Sequence, residues 1–167
     1  MSMKAIGHVT HKLSNSLIII GAIGLLVMTA IVTWQVFGRY VLRQSPDWSE
    51  QTALILMIWY VLFAAAAGVR QGFHIRIEAF ENALPPSIGM SMRMISNVVV
   101  GLCGLAMLIW GTMLVIGTWS HVVPTLGISR GAVYIALPIS GALIALFSIE
   151  RMILECIEES EQIQEKA

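Results

Sequence analysis

Residues Phe37–Glu78 read F-G-R-Y-V-L-R-Q-S-P-D-W-S-E, then a long apolar run, then G-V-R-Q-G-F-H-I-R-I-E. Asp47 is a favourable helix N-cap, and Glu50, three residues later, can complete a capping box. The 19 residues from Gln51 to Val69 carry no charge. In a helix they rise about 28 Å, close to the thickness of a hydrocarbon core. The stretch therefore predicts a membrane crossing that lies between two polar hinges.

The composition supports a membrane protein. The chain is 57% hydrophobic and 12% charged, with a mean hydropathy of +0.80, whereas soluble domains are about 25% charged. Its 167 residues can hold about four spans and no separate soluble domain. The formal net charge of zero gives no indication of nucleic-acid binding. Two cysteines, Cys103 and Cys156, do not make a disulfide framework.

The apolar runs predict an all-α integral membrane protein with a single membrane domain of four transmembrane helices. Its predicted spans are residues 17–37, 48–69, 87–119 and 131–149. The first run is longer than the core of a signal peptide and is interpreted as a retained span. The third predicted helix is about 50 Å long, so it must tilt or protrude. Pro138 predicts a kink in the fourth span.

A short amphipathic interfacial helix is expected at residues 73–84, between spans two and three. Its apolar face is formed by Phe73, Ile77, Phe80 and Leu84, and its polar face by His74, Glu78 and Glu81. Pro85 and Pro86 stop it, and it is expected to lie along the membrane surface. A strand over residues 73–78 is also compatible with the pattern, although it would have no partner strand.

Basic residues near the spans predict the orientation. With the N-terminus inside, the cytoplasmic set is Lys4, Lys12, Arg70, Arg76, Arg93, Arg151 and Lys166, and the outer set is Arg39, Arg43 and Arg130. Seven residues against three place both termini in the cytoplasm. Residues 150–167 are then a cytoplasmic acidic tail, which we expect to be a solvated helix end.

Ionisable residues near mid-bilayer are the usual functional sites of membrane proteins, and none is expected here. A haem anchor needs histidines that face one another, whereas His74 and His121 fall at opposite surfaces. The sequence contains no HExxH motif, nucleophile elbow or phosphate loop. We therefore predict no catalytic residues, no metal site and no cofactor in this chain, which is not expected to be an enzyme.

The candidate functional residues stand at the span ends. Arg39 either reaches lipid phosphates or pairs with an acid, such as Glu50 or one on a partner. Trp48 is either an interfacial aromatic residue or a partner contact. Glu50 is either a capping acid or a partner contact.

Three further candidates belong to the second span and the segment after it. Trp59 lies near mid-depth and either packs inside the bundle or anchors a partner. Arg70 and His74 share one helix face if the helix continues past Gly72. They are either anchors at the membrane interface or contacts to a second subunit.

The same residues carry a resemblance. The motifs are F37-x-R39-Y40, W48-S49-E50, G68-x-R70 and H74-I75-R76-I77-E78 with L84-P85, followed by Pro124, Gly127, Tyr134 and Pro138. In order and spacing they resemble the small permease subunit of tripartite ATP-independent periplasmic (TRAP) transporters, over about residues 17–149. Gln51 departs from this pattern, in which a second acid often stands there. Glu78 stands where an Asp is common.

The resemblance implies a bacterial inner-membrane protein with four spans and both termini in the cytoplasm. Its partners would be a large permease subunit, which carries the sodium and substrate sites, and a periplasmic protein that delivers an organic acid. The small subunit would brace the immobile scaffold. Contacts to the large subunit or to lipid would then come from Arg39, Trp48, Glu50, Trp59, Arg70 and His74. Two alternatives remain open, a self-sufficient small transporter and a membrane anchor of a respiratory enzyme.

Overall fold

The computed structural model describes the backbone of residues 3–44, 46–71 and 86–165, and the side chains of residues 10–44, 46–71 and 92–155. These parts of the chain form α1 (Met3–Tyr40), α2 (Asp47–Gln71), α3 (Pro86–Thr118), α4 (Arg130–Tyr134) and α5 (Ala136–Glu165). Four of the helices are long and apolar enough to cross a membrane. The all-α membrane fold with four spans is therefore confirmed. The expected interfacial helix at residues 73–84 lies outside the described residues.

The long helices stand side by side. α2 packs against both α1 and α5, and α3 packs against α5, so the order across the bundle is α1, α2, α5, α3. The apolar windows of the two edge helices, α1 and α3, are each 11% buried, against 28% for α2 and 44% for the span that includes α5. The edge helices therefore leave most of their apolar surface for lipid or another protein.

The two ends of the bundle differ in their connections. We call the end at which α1 begins and α5 ends the terminal end. The opposite end, with the connections at residues 41–46 and 119–129, is the turn end. α1 begins at Met3, well before the predicted residue 17, and its 38 residues extend about 57 Å. The helix therefore exceeds a hydrocarbon core by several turns.

Glycines set the distance between α3 and α5. A Cβ placed on Gly141 would lie 2.6 Å from Leu108 N and 2.7 Å from Gly104 O, and one on Gly104 would lie 2.7 Å from Ala145 N. The two backbones are thus in direct contact, as small residues allow in membrane bundles. Any side chain at either glycine would push the helices apart.

The predicted kink appears as a break at Ile135, which separates α4 from α5. Pro138 therefore falls in the first turn of α5, where a backbone N–H has no partner within its own helix. Ser129 caps α4 by accepting a hydrogen bond from Gly131 N at 3.1 Å. The same hydroxyl donates to Trp119 O at 2.6 Å, so one side chain joins the end of α3 to the start of α4.

Candidate functional site

Among the residues whose side chains the structure describes, the most extensive polar group lies at the terminal end. Thr10 Oγ1 of α1 donates a hydrogen bond to Glu150 Oε1 of α5 at 2.6 Å. Arg70 Nη2 of α2 donates to Thr10 Oγ1 at 3.1 Å and lies 3.4 Å from Glu150 Oε1. The side chains of Arg70 and Glu150 are only 18% and 11% exposed. Three helices therefore meet at one largely buried ion pair.

A second set of bonds extends this group to α3. Arg151 Nη1 donates to Val69 O at 3.2 Å, which satisfies one of the last carbonyls of α2. Glu155 Oε1 lies 3.8 Å from Arg151 Nη2, and Asn97 Nδ2 donates to Glu155 Oε2 at 2.8 Å. The hydroxyl of Ser148 donates to Asn97 O. We call the whole group the terminal polar network; its members are Thr10, Arg70, Asn97, Ser148, Glu150, Arg151 and Glu155.

The terminal polar network is balanced in charge, because two arginines face two glutamates. Each buried charge is therefore paired, which offsets the cost of removing it from water. Within the described residues, Glu150 Oε2 and Ser14 Oγ are buried without a hydrogen bond. The arrangement joins four membrane helices at a fixed register, and its charges are used in bonds between helices.

The expectation of a solvated acidic tail is wrong for its first part. Glu150 and Glu155 lie inside the contact between α5 and its neighbours, with side chains 11% and 15% exposed. A sequence signal exists for the burial of Glu155. Ser140, Ser148, Arg151 and Glu155 are spaced by eight, three and four residues, which places them on one helix face. That face is polar and continues the buried face of α5.

Three of the predicted site residues lie at the turn end. The side chains of Arg39, Trp48 and Glu50 are all exposed, and in the described part of the chain no ion pair involves Arg39 or Glu50. The predicted capping box does not form there either, because α2 begins at Asp47 itself. Their assignment as partner or lipid contacts stays a prediction.

Ser49 makes the bonds at the start of α2. Its N–H donates to Pro46 O at 3.2 Å, and its hydroxyl donates to the same oxygen at 2.7 Å. The side chain is fully buried. Ser49 belongs to the W-S-E motif, and this role at the start of α2 was not predicted from the sequence.

The other predicted residues lie within the bundle or outside the described residues. Trp59 donates its Nε1–H to Val133 O at 3.1 Å, and its ring meets Phe63 edge-on at 5.6 Å. This favours the interpretation that Trp59 packs inside the bundle. Arg70 belongs to the terminal polar network, and His74 lies outside the described residues. Partner contacts of these three residues stay predictions.

An open groove of about 620 Å³ runs along α1 toward the turn end. Its lining residues are Leu26, Thr29, Ala30, Thr33, Trp34 and Phe37. The hydroxyls of Thr29 and Thr33 donate to carbonyls of their own helix at 2.8 Å. The hydroxyls of the groove are therefore bonded, and its unbonded donor among the described residues is the indole N–H of Trp34, which lies six residues before the end of α1, about 9 Å along the helix.

Among the described residues, no cluster of three or more His, Cys, Asp or Glu side chains could hold a metal ion. The carboxylates of Glu150 and Glu155 are instead bonded to arginine, threonine and asparagine. Where the structure describes side chains, the acids at the terminal end thus serve contacts between helices.

Comparison with known proteins places these features in a family context. Residues 28–157 match the family described as tripartite ATP-independent periplasmic transporters, DctQ component. The chain is 25% identical over 132 residues to the sialic acid TRAP transporter small permease protein SiaQ of Vibrio cholerae, covering 75% of this chain and 72% of that protein. It is 24% identical over 150 residues to a putative TRAP transporter small permease protein of Haemophilus influenzae, covering 86% and 89%.

A third relative is matched over a shorter region. The C4-dicarboxylate TRAP transporter small permease protein DctQ of Vibrio cholerae is 27% identical over 94 residues, which cover 56% of this chain and 38% of that protein. All three relatives are named as small permease proteins of TRAP transporters, and two of the names specify solutes, which differ.

Proposed function

Because this chain belongs to the DctQ component family of tripartite ATP-independent periplasmic transporters, we propose that it braces the large permease subunit of a sodium-coupled importer. In this function it is a non-catalytic membrane subunit. The observation that carries the proposal is the terminal polar network, in which the buried charges join helices to one another. A brace needs such fixed helices, whereas a transport path needs ionisable groups that can change partners.

The proposed substrate is an organic acid that a periplasmic binding protein delivers. Two relatives are named for the transport of sialic acid and of C4-dicarboxylates, and both solutes carry carboxylates. Coupling sodium ions are assigned to the large permease subunit, together with the substrate site. The substrate therefore does not contact this chain.

We place the chain in the bacterial inner membrane with its terminal end in the cytoplasm. The excess of basic residues near that end supports this orientation. The turn end, with Arg39, Trp48 and Glu50, then faces the periplasm. There these side chains contact the large subunit or lipid headgroups, and His74 makes such contacts on the cytoplasmic side.

Co-purification tests the proposal. The tagged chain is expressed from its native operon, extracted in mild detergent, and its companions are identified by mass spectrometry. We expect a much larger polytopic membrane protein in stoichiometric amount. A chain that emerges alone and transports solute in liposomes would contradict the proposal and support a self-sufficient transporter.

A double substitution, Arg39→Ala with Glu50→Ala, tests the contacts at the turn end. Since both side chains are exposed, the fold should survive while the yield of the complex and the uptake rate fall. Lys12→Ala, which removes an exposed charge near the terminal end, is the control. Unchanged complex yield and uptake in the double variant would show that these residues do not contribute to the interface.

One observation favours the alternative of a self-sufficient transporter: Glu150 is an acid in the last span, and its side chain is 11% exposed. Its bonds to Thr10 and Arg70 argue against that alternative, because a carboxylate that carries protons must exchange partners. A respiratory anchor would show haem absorbance after purification.

A further inference from the structure

Two tryptophans lie well inside the spans, and their surroundings differ. Trp59 of α2 is half-buried and donates its indole N–H to Val133 O. Trp110 of α3 is 68% exposed, and its Nε1 makes no hydrogen bond to any residue that the structure describes. In α3 an indole donor thus points away from the bundle.

The depth of Trp110 follows from markers at both ends of α3. Asn97 belongs to the terminal polar network and lies thirteen residues before Trp110, about 20 Å along the helix. Trp119, exposed at the turn end, follows nine residues later, about 13 Å away. Both separations place Trp110 in the hydrocarbon core, where tryptophan is uncommon because its donor finds no water.

Gly117 is a second feature without an explanation inside this chain. A Cβ on Gly117 would meet no atom within 4 Å, whereas one on Gly104, Gly111 or Gly141 would meet a neighbour at 3.1 Å or less. Its φ is not positive, since Gly127 is the described glycine with that conformation, so α3 does not need it as a left-handed cap. Glycine weakens a helix relative to alanine, and no contact within the described chain requires it.

Trp110 and Gly117 lie on one face of α3. Seven residues are about two turns, so their Cα atoms are aligned along the helix. Cys103, seven residues before Trp110, is also exposed, and Ala106 lies between them. A large aromatic side chain therefore stands between small residues on a surface that no other described helix covers. We call this surface the α3 docking face; its residues are Cys103, Ala106, Trp110, Met113 and Gly117.

We propose that the α3 docking face binds a transmembrane helix of the large permease subunit, with the Trp110 indole donating to an acceptor on that helix. The small residues let the two backbones approach closely, and tryptophan is a frequent anchor of protein interfaces. Lipid chains contain no acceptor at this depth, which favours protein over lipid. The groove on α1, whose hydroxyls are already bonded and whose Trp34 indole lies near the turn end, where headgroups and water offer acceptors, would then face lipid. This inference rests on the proposed function.

Photo-crosslinking in membranes tests the assignment. p-Benzoyl-phenylalanine replaces Met113 on the α3 docking face or, as the matched control, Leu26 in the α1 groove; both side chains are highly exposed. Both proteins are expressed from the native operon. We expect an adduct with the large subunit from position 113 and none from position 26.

The other outcomes distinguish a wrong assignment of the docking face from a wrong proposed function. An adduct from position 26 alone, or none from either position while the wild-type chain still co-purifies with the large subunit, overturns the docking face and leaves the proposed function standing. An adduct with a second copy of this chain also overturns it. If the wild-type chain co-purifies with no large partner, both proposals fail.

Substitutions give a second, independent readout. Gly117→Leu should lower recovery of the large subunit about 30-fold, the effect of one lost hot spot, while the yield of the chain itself is unchanged because the added side chain has open space. Ala30→Leu in the α1 groove is the matched control. Trp110→Phe, which removes the donor, should lower recovery about fivefold, half the hot-spot effect on a logarithmic scale, and Trp34→Phe should not. Equal recovery from all four variants would assign the face to lipid and overturn the proposal.

Discussion

The terminal end and the turn end of the bundle both carry arginines and glutamates, yet the two ends are built differently. At the terminal end, the side chains of Arg70 and Glu150 are 18% and 11% exposed and bonded between helices. At the turn end, Arg39 and Glu50 are exposed. A charge at a helix end therefore becomes structural only where a neighbouring helix supplies an opposite charge at the same level.

The sequence separations show the same contrast. The hydrogen bonds of the terminal polar network join residues 51 to 140 positions apart, and the Arg151–Glu155 ion pair within α5 is its one short-range member. The turn end is closed by local bonds, such as Ser129 Oγ to Trp119 O, ten positions apart, and Val123 N to Ile128 O at 2.8 Å. The turn end therefore depends on adjacent residues, and the terminal end depends on the arrangement of the whole bundle.

The largest effect is expected from Glu150→Ala. The substitution leaves the Arg70 guanidinium largely buried without its carboxylate, which typically costs about 3–5 kcal/mol. Thermal unfolding of the detergent-solubilised chain, followed by size-exclusion chromatography, measures the loss. Glu50→Ala removes an exposed acid at the turn end and is the control. Equal unfolding temperatures for the two variants would contradict the structural role of Glu150.

A charge exchange sharpens this prediction. Arg70→Glu combined with Glu150→Arg keeps the pair and reverses its direction, so the double variant should unfold at a higher temperature than either single variant. A double variant that is as unstable as the worse single one would show that the ion pair does not couple the two positions.

A smaller effect is expected for Asn97→Ala, which removes the hydrogen bond from α3 to Glu155. Hydrogen bonds to charged groups contribute about 1.5–3 kcal/mol, and Arg151 still faces this carboxylate. The same unfolding assay should show an intermediate loss. Thr112→Ala, which removes a hydroxyl bonded only within α3, should change stability much less.

At the turn end, Ser129→Ala removes the N-cap of α4 and the bond to Trp119 O. Loss of an N-cap costs about 1 kcal/mol. Ser129→Thr keeps a hydroxyl that can accept from Gly131 N and donate to Trp119 O, and it should recover most of the stability, so the pair of variants isolates the hydroxyl. An alanine variant as stable as the wild type would mean that the turn is held by its backbone bonds alone.

The smallest effect on the isolated chain is expected for Arg39→Gln. Exposed surface substitutions usually change stability by less than about 0.5 kcal/mol, and the described residues offer this side chain no ion pair. The unfolding temperature of the purified chain should be unchanged, even if complex yield falls. A destabilised chain would show that the turn end also depends on charge.

Much of the fold could be predicted from the sequence, because uncharged runs of membrane length have few alternatives to a spanning helix. The bounds of α2 were close for this reason, since Asp47 and Arg70 limit the apolar run. The start of α1 was missed because hydropathy reports where a helix leaves lipid, whereas the backbone continues helical to Met3. The sequence predicted the kink at Pro138, whereas the structure has the break at Ile135. The difference arises because a proline is tolerated in the first turn of the helix that follows.

The burial of Glu150 could not be predicted from hydropathy. Because a charged residue follows Ile149, hydropathy predicts that the span ends there. The burial of Glu150 depends instead on its contact with Arg70, 80 positions earlier in the chain. Such pairs arise from the packing of helices and leave no local pattern. Likewise, the sequence does not distinguish Trp59, which is bonded inside the bundle, from Trp110, which is exposed. This difference depends on how the helices pack.

The hydrogen bond between Thr10 and Glu150 also has a consequence for biosynthesis. Its partners are 140 positions apart, so nearly the whole chain must be synthesised and inserted before it can form. The hairpins α1–α2 and α3–α5 can assemble earlier from neighbouring segments. The terminal polar network is then the last set of contacts to form. A chain truncated before Glu150 would be inserted into the membrane without the carboxylate that Arg70 contacts in the full chain.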